Sequence, residues 1–225
     1  MWLIPLDMQD RMVVQLAKIL SRDEREQSSQ LRKGSVRKNF IVARGYLRRI
    51  LACYVKVRPE TIVFDFNENG KPELPKNSPE EIFFNLSHTD MTAVCAVARR
   101  PVGIDIEFAG KEWPHEQFRE FLSAPEFKTL SMLPQAERNR AFLKVWVRKE
   151  AYLKAKGTGL HYPLASFDVS ISPDHSGLIA HRLEPDDVGR WSFTEIDAGP
   201  CCLGAVAAQG KSSEVRYRVL EELPE

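Results

Sequence analysis

The sequence has few cysteines, and their spacing excludes the frameworks that cysteines usually build. Four occur among 225 residues, and no two form a C-x-x-C pair, so neither a zinc site nor a disulfide scaffold is predicted. Cys53 and Cys95 lie in apolar stretches, where free thiols pack as small hydrophobic side chains. The vicinal Cys201 and Cys202 are a poor basis for either framework. This cysteine usage fits a reducing cytoplasm.

Long apolar runs and net charge are lacking as well. No run approaches the roughly 18–20 residues that cross a bilayer, and segment 1–7 combines an acid, Asp7, with no basic start, unlike a secretory signal. The net charge is +1, so no overall field attracts the chain to nucleic acid or membranes. With 43% hydrophobic and 28% charged residues, the composition predicts a cytoplasmic globular protein without either of those partners.

One segment departs from this even balance of charge. Residues 31–49 contain seven basic residues and no acid, namely Arg32, Lys33, Arg37, Lys38, Arg44, Arg48 and Arg49. From Val36 to Tyr54 the apolar residues recur at steps of three and four, which predicts a long amphipathic helix whose other face carries the basic cluster. The cluster is either a solvated helix face or a surface that binds phosphate.

The order of the predicted elements favours an α+β fold. A second long helix is predicted over residues 135–156, and Ser21 with Glu24 forms a capping-box pattern that predicts another helix start. Each half of the chain has a long helix followed by strands, so two similar α+β halves, residues 1–104 and 105–225, are predicted to pack tightly without a flexible linker. Three closely spaced strands, at 82–86, 92–98 and 102–108, predict a meander or hairpin. Strands are predicted at 2–6, 61–66, 82–86, 92–98, 102–108, 166–171, 177–183, 191–196, 203–208 and 215–219.

A polar cluster follows directly on an apolar strand at residues 83–89, F-F-N-L-S-H-T. Ser87 and His88 offer hydrogen bonds to a phosphate, and a protonated His88 would add charge. The alternative is a turn whose Asn, Ser and Thr side chains satisfy their own backbone.

A pair of carboxylates lies in the predicted strand at residues 102–108. Because side chains alternate along a strand, Asp105 and Glu107 share one face and repel each other unless water or a cation lies between them. Carboxylate oxygens are ligands that Mg²⁺ prefers. The alternative is the solvent-facing side of an amphipathic strand.

A third carboxylate lies on the second long helix. Glu150 and Lys154 are one helical turn apart and can pair, which is usually surface decoration. They follow Trp146, however, on a helix that must bury much of its length. Glu150 arriving from this helix would complete a metal site with Asp105 and Glu107.

Four motifs in order carry a resemblance to a known family. They are N-G-K-P at 69–72, F-N-L-S-H-T at 84–89, G-I-D-I-E at 103–107 and W-x-x-K-E-A-Y-x-K-A-x-G-x-G-L at 146–160. Together they resemble the surfactin-synthetase-activating class of 4′-phosphopantetheinyl transferases, over about residues 30–170. The resemblance implies a monomer of two pseudo-twofold-related α+β halves, each a long helix on a mostly antiparallel sheet, with the active site between them. It implies Mg²⁺-dependent transfer of the 4′-phosphopantetheine group of coenzyme A (CoA) to a serine of an apo acyl or peptidyl carrier protein, with adenosine 3′,5′-bisphosphate released.

The resemblance also assigns CoA-binding roles. Lys71 and Pro72 would lie at the adenine end, and Ser87 and His88 would bind the 3′-phosphate. The basic residues before the first long helix would hold other CoA phosphates. The favoured pair there is Arg37 and Lys38, with Arg32 or Lys33 as alternatives.

The catalytic roles follow from the last two motifs. Asp105, Glu107 and Glu150 match the family's Mg²⁺ ligands, and Asp105 thereby also belongs to the CoA site, because the cation would bind the CoA pyrophosphate. Glu150 is the candidate general base for the carrier serine, directly or through a metal-bound water. Lys154 would contact the pyrophosphate and stabilise developing charge, whereas the helical position of Lys149 need not face the site.

The sequence departs from the family pattern at two positions. Val147 stands where many relatives carry Ser or Thr, and Thr89 replaces a common Ser; neither removes a proposed ligand.

Two rival functions remain. A Mg²⁺-dependent nuclease could use the same carboxylates, but the near-zero net charge disfavours it. A non-catalytic module that binds carrier proteins or nucleotides would have no need for three carboxylates and a lysine in these motifs.

Overall fold

A computed structural model describes residues 1–159, 161–171, 177–211, 214–220 and 223, and it has the predicted α+β class. The helices within these residues are α1 (Asp10–Ile19), α2 (Arg22–Gln30), α3 (Ser35–Val55), α4 (Phe118–Phe121), α5 (Ala124–Ser131) and α6 (Gln135–Lys156). The strands are β1 (Trp2–Pro5), β2 (Asp65–Phe66), β3 (Pro72–Glu73), β4 (Phe83–His88), β5 (Thr92–Ala98), β6 (Val102–Phe108), β7 (Phe167–Val169), β8 (Leu178–His181), β9 (Trp191–Ile196) and β10 (Cys202–Gln209). No helix in these ranges is long and apolar enough to cross a membrane.

Two antiparallel sheets, each with a long helix, make up most of the fold. One has the strand order β1-β5-β4 and the other β6-β10-β9. The apolar side of α3, including Leu47 and Ile50, packs in one core with Ile4 of β1, and α6 buries Phe142 and Tyr152 in another core. The pseudo-twofold relation of the halves and their boundary between residues 104 and 105 stay predictions.

The long helices and their caps follow the sequence pattern closely. Helix α6 has the predicted bounds of 135–156, and α3 extends the predicted helix by one residue at each end. The predicted capping box is present at the start of α2: Glu24 N–H donates to Ser21 Oγ (3.2 Å) and Ser21 N–H donates to Glu24 Oε2 (3.0 Å). These two bonds satisfy backbone donors that a helix end leaves open.

Of the predicted meander or hairpin, the structure has the hairpin. Strands β4 and β5 form a hairpin, but β6 pairs with β10 rather than with β5. The reason is that the second edge of β5 is already taken by β1, where Trp2 faces Cys95. Strand β6 therefore starts a second sheet, and its position beside β4 brings the two sheets together.

Two predicted strands and one helix differ from the structure. The strand predicted at 61–66 is reduced to β2, because residues Pro59–Thr61 form a 3₁₀ turn instead. Arg48 donates to the carbonyls of Pro59 (3.1 Å) and Ile62 (2.9 Å) at this turn. The strand predicted at 215–219 is a single bridge between Arg218 and Trp2. Helix α1 was not predicted at all.

Candidate active site

The position of the candidate site is set by a close contact between β6 and α6. A Cβ added to Gly103 would lie 2.1 Å from the Ala151 carbonyl oxygen and 2.3 Å from the Ala155 backbone nitrogen. Only glycine permits this approach, since real side chains never come so near to backbone atoms. Gly103, Asp105 and Glu107 alternate along β6, so the face that meets α6 carries both carboxylates.

A cleft of about 360 Å³ lies where β4, β6 and α6 meet. The residues that line it are Leu86, Ser87, His88, Asp105, Ile106, Glu107, Trp146, Glu150 and Lys154. The structure thus brings together six of the residues predicted for the site: Ser87, His88, Asp105, Glu107, Glu150 and Lys154. They come from three distant parts of the sequence.

Asp105 is buried and held by a lysine and a serine. Its Oδ1 lies 2.5 Å from Lys154 Nζ and accepts a 2.9 Å hydrogen bond from the Ser87 hydroxyl, while Lys154 Nζ also lies 3.3 Å from Ser87 Oγ. Asp105 is only 5% exposed. Burial raises the pKa of Asp105, and the charge and hydrogen bond of Lys154 and the hydrogen bond of Ser87 oppose that rise.

Glu107 is held by a different lysine and a tryptophan. Lys111 Nζ lies 3.0 Å from both Glu107 carboxylate oxygens, and Trp146 Nε1 donates to Glu107 Oε1 at 3.1 Å. Lys111 was not among the predicted site residues, although it follows Glu107 by four positions in the sequence. That spacing indicates a contact in a helix, whereas Lys111 lies in the turn after β6.

Glu150 is the least satisfied of the three carboxylates. It is 7% exposed, and its Oε1 has no hydrogen-bond partner among the described residues; the same holds for Asp105 Oδ2. Burial raises the pKa of Glu150 to about 7; Lys154 opposes the rise, and the negative charges of Asp105 and Glu107 add to it. Near neutral pH this carboxylate is therefore able to exchange a proton.

The three carboxylates fit a hard divalent cation by their chemistry. Within the described ranges no group of three or more His, Cys, Asp or Glu side chains is arranged to hold a metal. Two of the three carboxylates already contact an ammonium group, Asp105 that of Lys154 and Glu107 that of Lys111. In one cleft, two buried carboxylate oxygens nevertheless have no partner among the residues that the structure describes. They suit Mg²⁺, which takes a few carboxylates and keeps water and phosphate as its other ligands.

The Gly70-Lys71-Pro72 turn lies outside this cleft. Lys71 Nζ donates to the Ala155 carbonyl (3.1 Å), and Asn67 Nδ2 and Asn69 Nδ2 each donate to the Gly157 carbonyl (2.9 Å). The turn therefore satisfies carbonyls that the end of α6 leaves open. Lys71 and Pro72 line a separate cavity of about 400 Å³, formed by residues 71–84.

The basic segment also lies away from the cleft lining. Lys38 Nζ is 3.6 Å from Asp10 and 4.0 Å from Asp7, and none of Arg32, Lys33, Arg37 and Lys38 lines the cleft. Arg48, from the same segment, is buried with its Nε 2.6 Å from Glu24. The segment is thus partly structural. Asn39 of the same segment donates to the carbonyl of Asp90 (2.8 Å), which connects α3 to the residues just beyond the end of β4.

Lys149 points away from the site. Its Nζ lies 2.7 Å from Glu126 on α5 and donates to the carbonyls of Leu164 (2.6 Å) and Phe167 (2.7 Å). Burial lowers the pKa of Lys149, and Glu126 opposes that shift. This buried pair fixes α6 against α5 and β7, which holds the adjacent Glu150 in place.

Comparison with known proteins identifies the family. A family model described as the 4′-phosphopantetheinyl transferase superfamily matches residues 101–208, and one described as the N-terminal part of 4′-phosphopantetheinyl transferases matches residues 8–100. The chain is 33% identical over 213 residues to the 4′-phosphopantetheinyl transferase HetI of Nostoc sp., covering 93% of this chain and 87% of HetI. It is 32% identical over 172 residues to 4′-phosphopantetheinyl transferase psf-1 of Bacillus pumilus, covering 76% and 72%.

A solved structure shows a weaker likeness. The holo-[acyl-carrier-protein] synthase of Thermotoga maritima is 20% identical with a TM-score of 0.38, over 50% of this chain and 64% of that one. This likeness is too weak to support a conclusion. The match to HetI over nearly the whole of both chains is sufficient by itself. The chain belongs to the family of 4′-phosphopantetheinyl transferases.

Proposed function

We propose that this enzyme transfers the 4′-phosphopantetheine group of CoA to a serine of an apo acyl or peptidyl carrier protein, depends on Mg²⁺ and releases adenosine 3′,5′-bisphosphate. The observation that carries this proposal is the convergence of Asp105, Glu107, Glu150 and Lys154 on one cleft, in a chain of this family. The proposal includes a monomer of two halves, residues 1–104 and 105–225, with the active site between them, working in the cytoplasm.

Asp105, Glu107 and Glu150 would hold the cation. When bound, Mg²⁺ supplies positive charge that neutralises the CoA pyrophosphate and stabilises the charge of phosphoryl transfer. The buried oxygens Asp105 Oδ2 and Glu150 Oε1, which have no partner in the described part of the chain, support these assignments. A buried carboxylate oxygen that stays unpaired is costly, so a ligand for these atoms is expected.

Glu150 is the proposed general base. In the reaction the serine oxygen bonds to the phosphorus that carries the pantetheine arm, the bond from that phosphorus to the leaving phosphate breaks, and the serine proton passes to Glu150. Burial raises the pKa of Glu150 to about 7. The positive charge of bound Mg²⁺ would lower this pKa, so the carboxylate would be ionised and able to accept the serine proton near neutral pH. Lys154, which reaches the same cleft, would stabilise negative charge on the pyrophosphate.

The remaining residues would bind the nucleotide part of CoA. His88 is exposed at the end of β4 and lines the cleft, so it can meet the 3′-phosphate. Ser87 is proposed for the same phosphate, although its hydroxyl already donates to Asp105. Arg37 and Lys38, or Arg32 and Lys33, would contact the phosphates. Lys71 and Pro72 would lie at the adenine end.

A direct assay tests the proposal. The protein is incubated with CoA, Mg²⁺ and several apo carrier proteins, and each carrier is followed by mass spectrometry; the expected result is the addition of one phosphopantetheine group. Glu150→Gln should abolish transfer while the protein stays folded. Glu137→Gln, at an exposed position on the same helix, is the matched control and should keep full activity. Absence of transfer to every carrier tested would overturn the proposed function.

A further inference from the structure

Lys111 has a contact with Glu107 that is more fully built than an ordinary surface ion pair. Its Nζ lies 3.0 Å from both carboxylate oxygens of Glu107 and 4.5 Å from the centre of the Trp113 ring. The ring centres of Trp113 and Trp146 are 5.3 Å apart, and Trp146 Nε1 donates to the same carboxylate. An ammonium group between a carboxylate and an aromatic face is held by both.

The loop that carries Lys111 is fixed to α6 at this lysine and just after it. Asn139 Nδ2 donates to the Lys111 carbonyl (2.8 Å), and Asn139 Oδ1 accepts from Trp113 N–H (3.1 Å). The start of the loop is held as well, because Ala109 N–H donates to the Cys201 carbonyl (2.7 Å). The backbone therefore presents Lys111 to Glu107 in a fixed geometry.

The charges of the site show what this contact does. Asp105 and Glu107 lie on one face of β6, and each is neutralised by its own lysine, Lys154 for Asp105 and Lys111 for Glu107. A divalent cation on Glu107 would lie close to the Lys111 ammonium group and be repelled by it. The side chain of Lys111 is 40% exposed, against 21% for Glu107, so the lysine is free to turn outward to water while the carboxylate stays in the cleft.

We propose that Lys111 is the internal counterion of Glu107, which Mg²⁺ must displace in order to bind. Lys111 keeps the carboxylate paired in the metal-free enzyme and weakens its affinity for the cation. Metal binding is thereby coupled to release of the Lys111 ammonium group from the face of Trp113. This inference rests on the metal site of the proposed function.

The test is the Mg²⁺ affinity of the full-length enzyme, measured by isothermal titration calorimetry with and without CoA. Lys111→Met keeps the length of the side chain and its contact with Trp113 but removes the charge. It should bind Mg²⁺ roughly threefold to fivefold more tightly than the wild type, the size expected for loss of one competing, partly exposed ion pair. Lys111→Arg, which restores the charge, should return the affinity to the wild-type range. The matched control is Lys128→Met, at an exposed position on α5, which should bind as the wild type does.

Tryptophan fluorescence gives a second measurement. In the wild type, Mg²⁺ should change the emission, because Lys111 leaves the face of Trp113, and in Lys111→Met this change should be smaller. Equal Mg²⁺ affinity in the wild type and Lys111→Met would overturn the role of Lys111 and leave the metal site standing. Absence of binding to either protein, with and without CoA, would overturn the metal site itself and this inference with it.

Discussion

The hydroxyl of Ser87 on β4 donates a 2.9 Å hydrogen bond to Asp105 Oδ1 on β6. The two strands belong to different three-stranded sheets, so this bond joins the sheets inside the candidate active site. Two backbone N–H groups of β6 complete the junction: Ile104 donates to Asn85 Oδ1 (2.9 Å) and Ile106 donates to Ser87 Oγ (3.3 Å). The side chains of Asn85 and Ser87 on β4 thus both join the sheets. Ser87 in addition positions Asp105, a proposed metal ligand.

Ser87→Ala should therefore weaken Mg²⁺ binding and slow transfer by about 10- to 100-fold, the usual effect of removing a side chain that orients a metal ligand. Asn85→Ala is the matched control. It also removes one bond between the sheets and should lower the free energy of unfolding by about 1–2 kcal/mol, but its Mg²⁺ affinity should stay near that of the wild type. Calorimetric titration and urea denaturation measure the two quantities. Wild-type Mg²⁺ affinity in Ser87→Ala would show that Asp105 does not need this bond.

Gly103 should tolerate no side chain, because a Cβ there would overlap the backbone of α6 at Ala151 and Ala155. Relief requires the helix to move away from β6, which opens the core and separates the carboxylates of the site. We expect Gly103→Ala to lower the free energy of unfolding by about 3 kcal/mol or more, at the upper end of the cost of overpacking. At Gly177 an added Cβ meets no atom of the described residues within 4 Å, so Gly177→Ala should change stability by less than about 0.5 kcal/mol. Urea denaturation measures the free energy of unfolding of both variants. Equal values for Gly103→Ala and Gly177→Ala would contradict the close packing of α6 on β6.

His88 should contribute to CoA affinity through the 3′-phosphate alone. His88→Ala should raise the KM for CoA by about tenfold, as expected for loss of a hydrogen bond to a charged group, and leave the KM for a CoA analogue without the 3′-phosphate nearly unchanged. Steady-state kinetics with both substrates measures the difference. His161→Ala removes an exposed histidine and should affect neither KM. If His88→Ala raises both KM values equally, the proposed contact is wrong.

The sequence was sufficient to predict what depends on local spacing. The bounds of α6 follow from its apolar period, and the cap at Ser21 follows from a serine three residues before a glutamate. The shared face of Asp105 and Glu107 follows from the alternation of side chains along a strand, and the structure shows that this face meets α6. Each of these depends on neighbours a few residues apart.

Features that depend on distant partners were not predictable in this way. Arg48 looked like one more member of a basic helix face, but it is buried because Glu24, on another helix, neutralises it. Strand β6 looked like the third strand of a meander, but β1 takes the position beside β5. The contact of Lys111 with Glu107 requires a turn that the charge pattern does not reveal.

A buried histidine on the far side of α6 provides a pH-dependent contribution to stability. His181 Nδ1 accepts a hydrogen bond from the backbone N–H of Glu184 (2.9 Å), so that nitrogen carries no proton. The other ring nitrogen, Nε2, lies 3.2 Å from the Tyr162 hydroxyl, which donates to Glu184 Oε1 (2.6 Å). Protonation of Nδ1 would break the first bond and place two donors against each other.

His181 should therefore make the enzyme less stable in mildly acidic solution. Burial lowers the pKa of His181 from its ordinary value, and the nearby charge of Glu184 only opposes that shift. Because the folded-state pKa lies below the unfolded value of about 6.5, the unfolded chain binds the proton first, so this stability is present above pH 6.5 and is lost as the pH falls through the folded-state pKa. His181→Gln cannot titrate and should lose less stability than the wild type between pH 7.5 and 5.5, whereas the exposed His161→Gln should follow the wild type. Urea denaturation at each pH measures this, and identical slopes for the wild type and His181→Gln would exclude His181 as the titrating group.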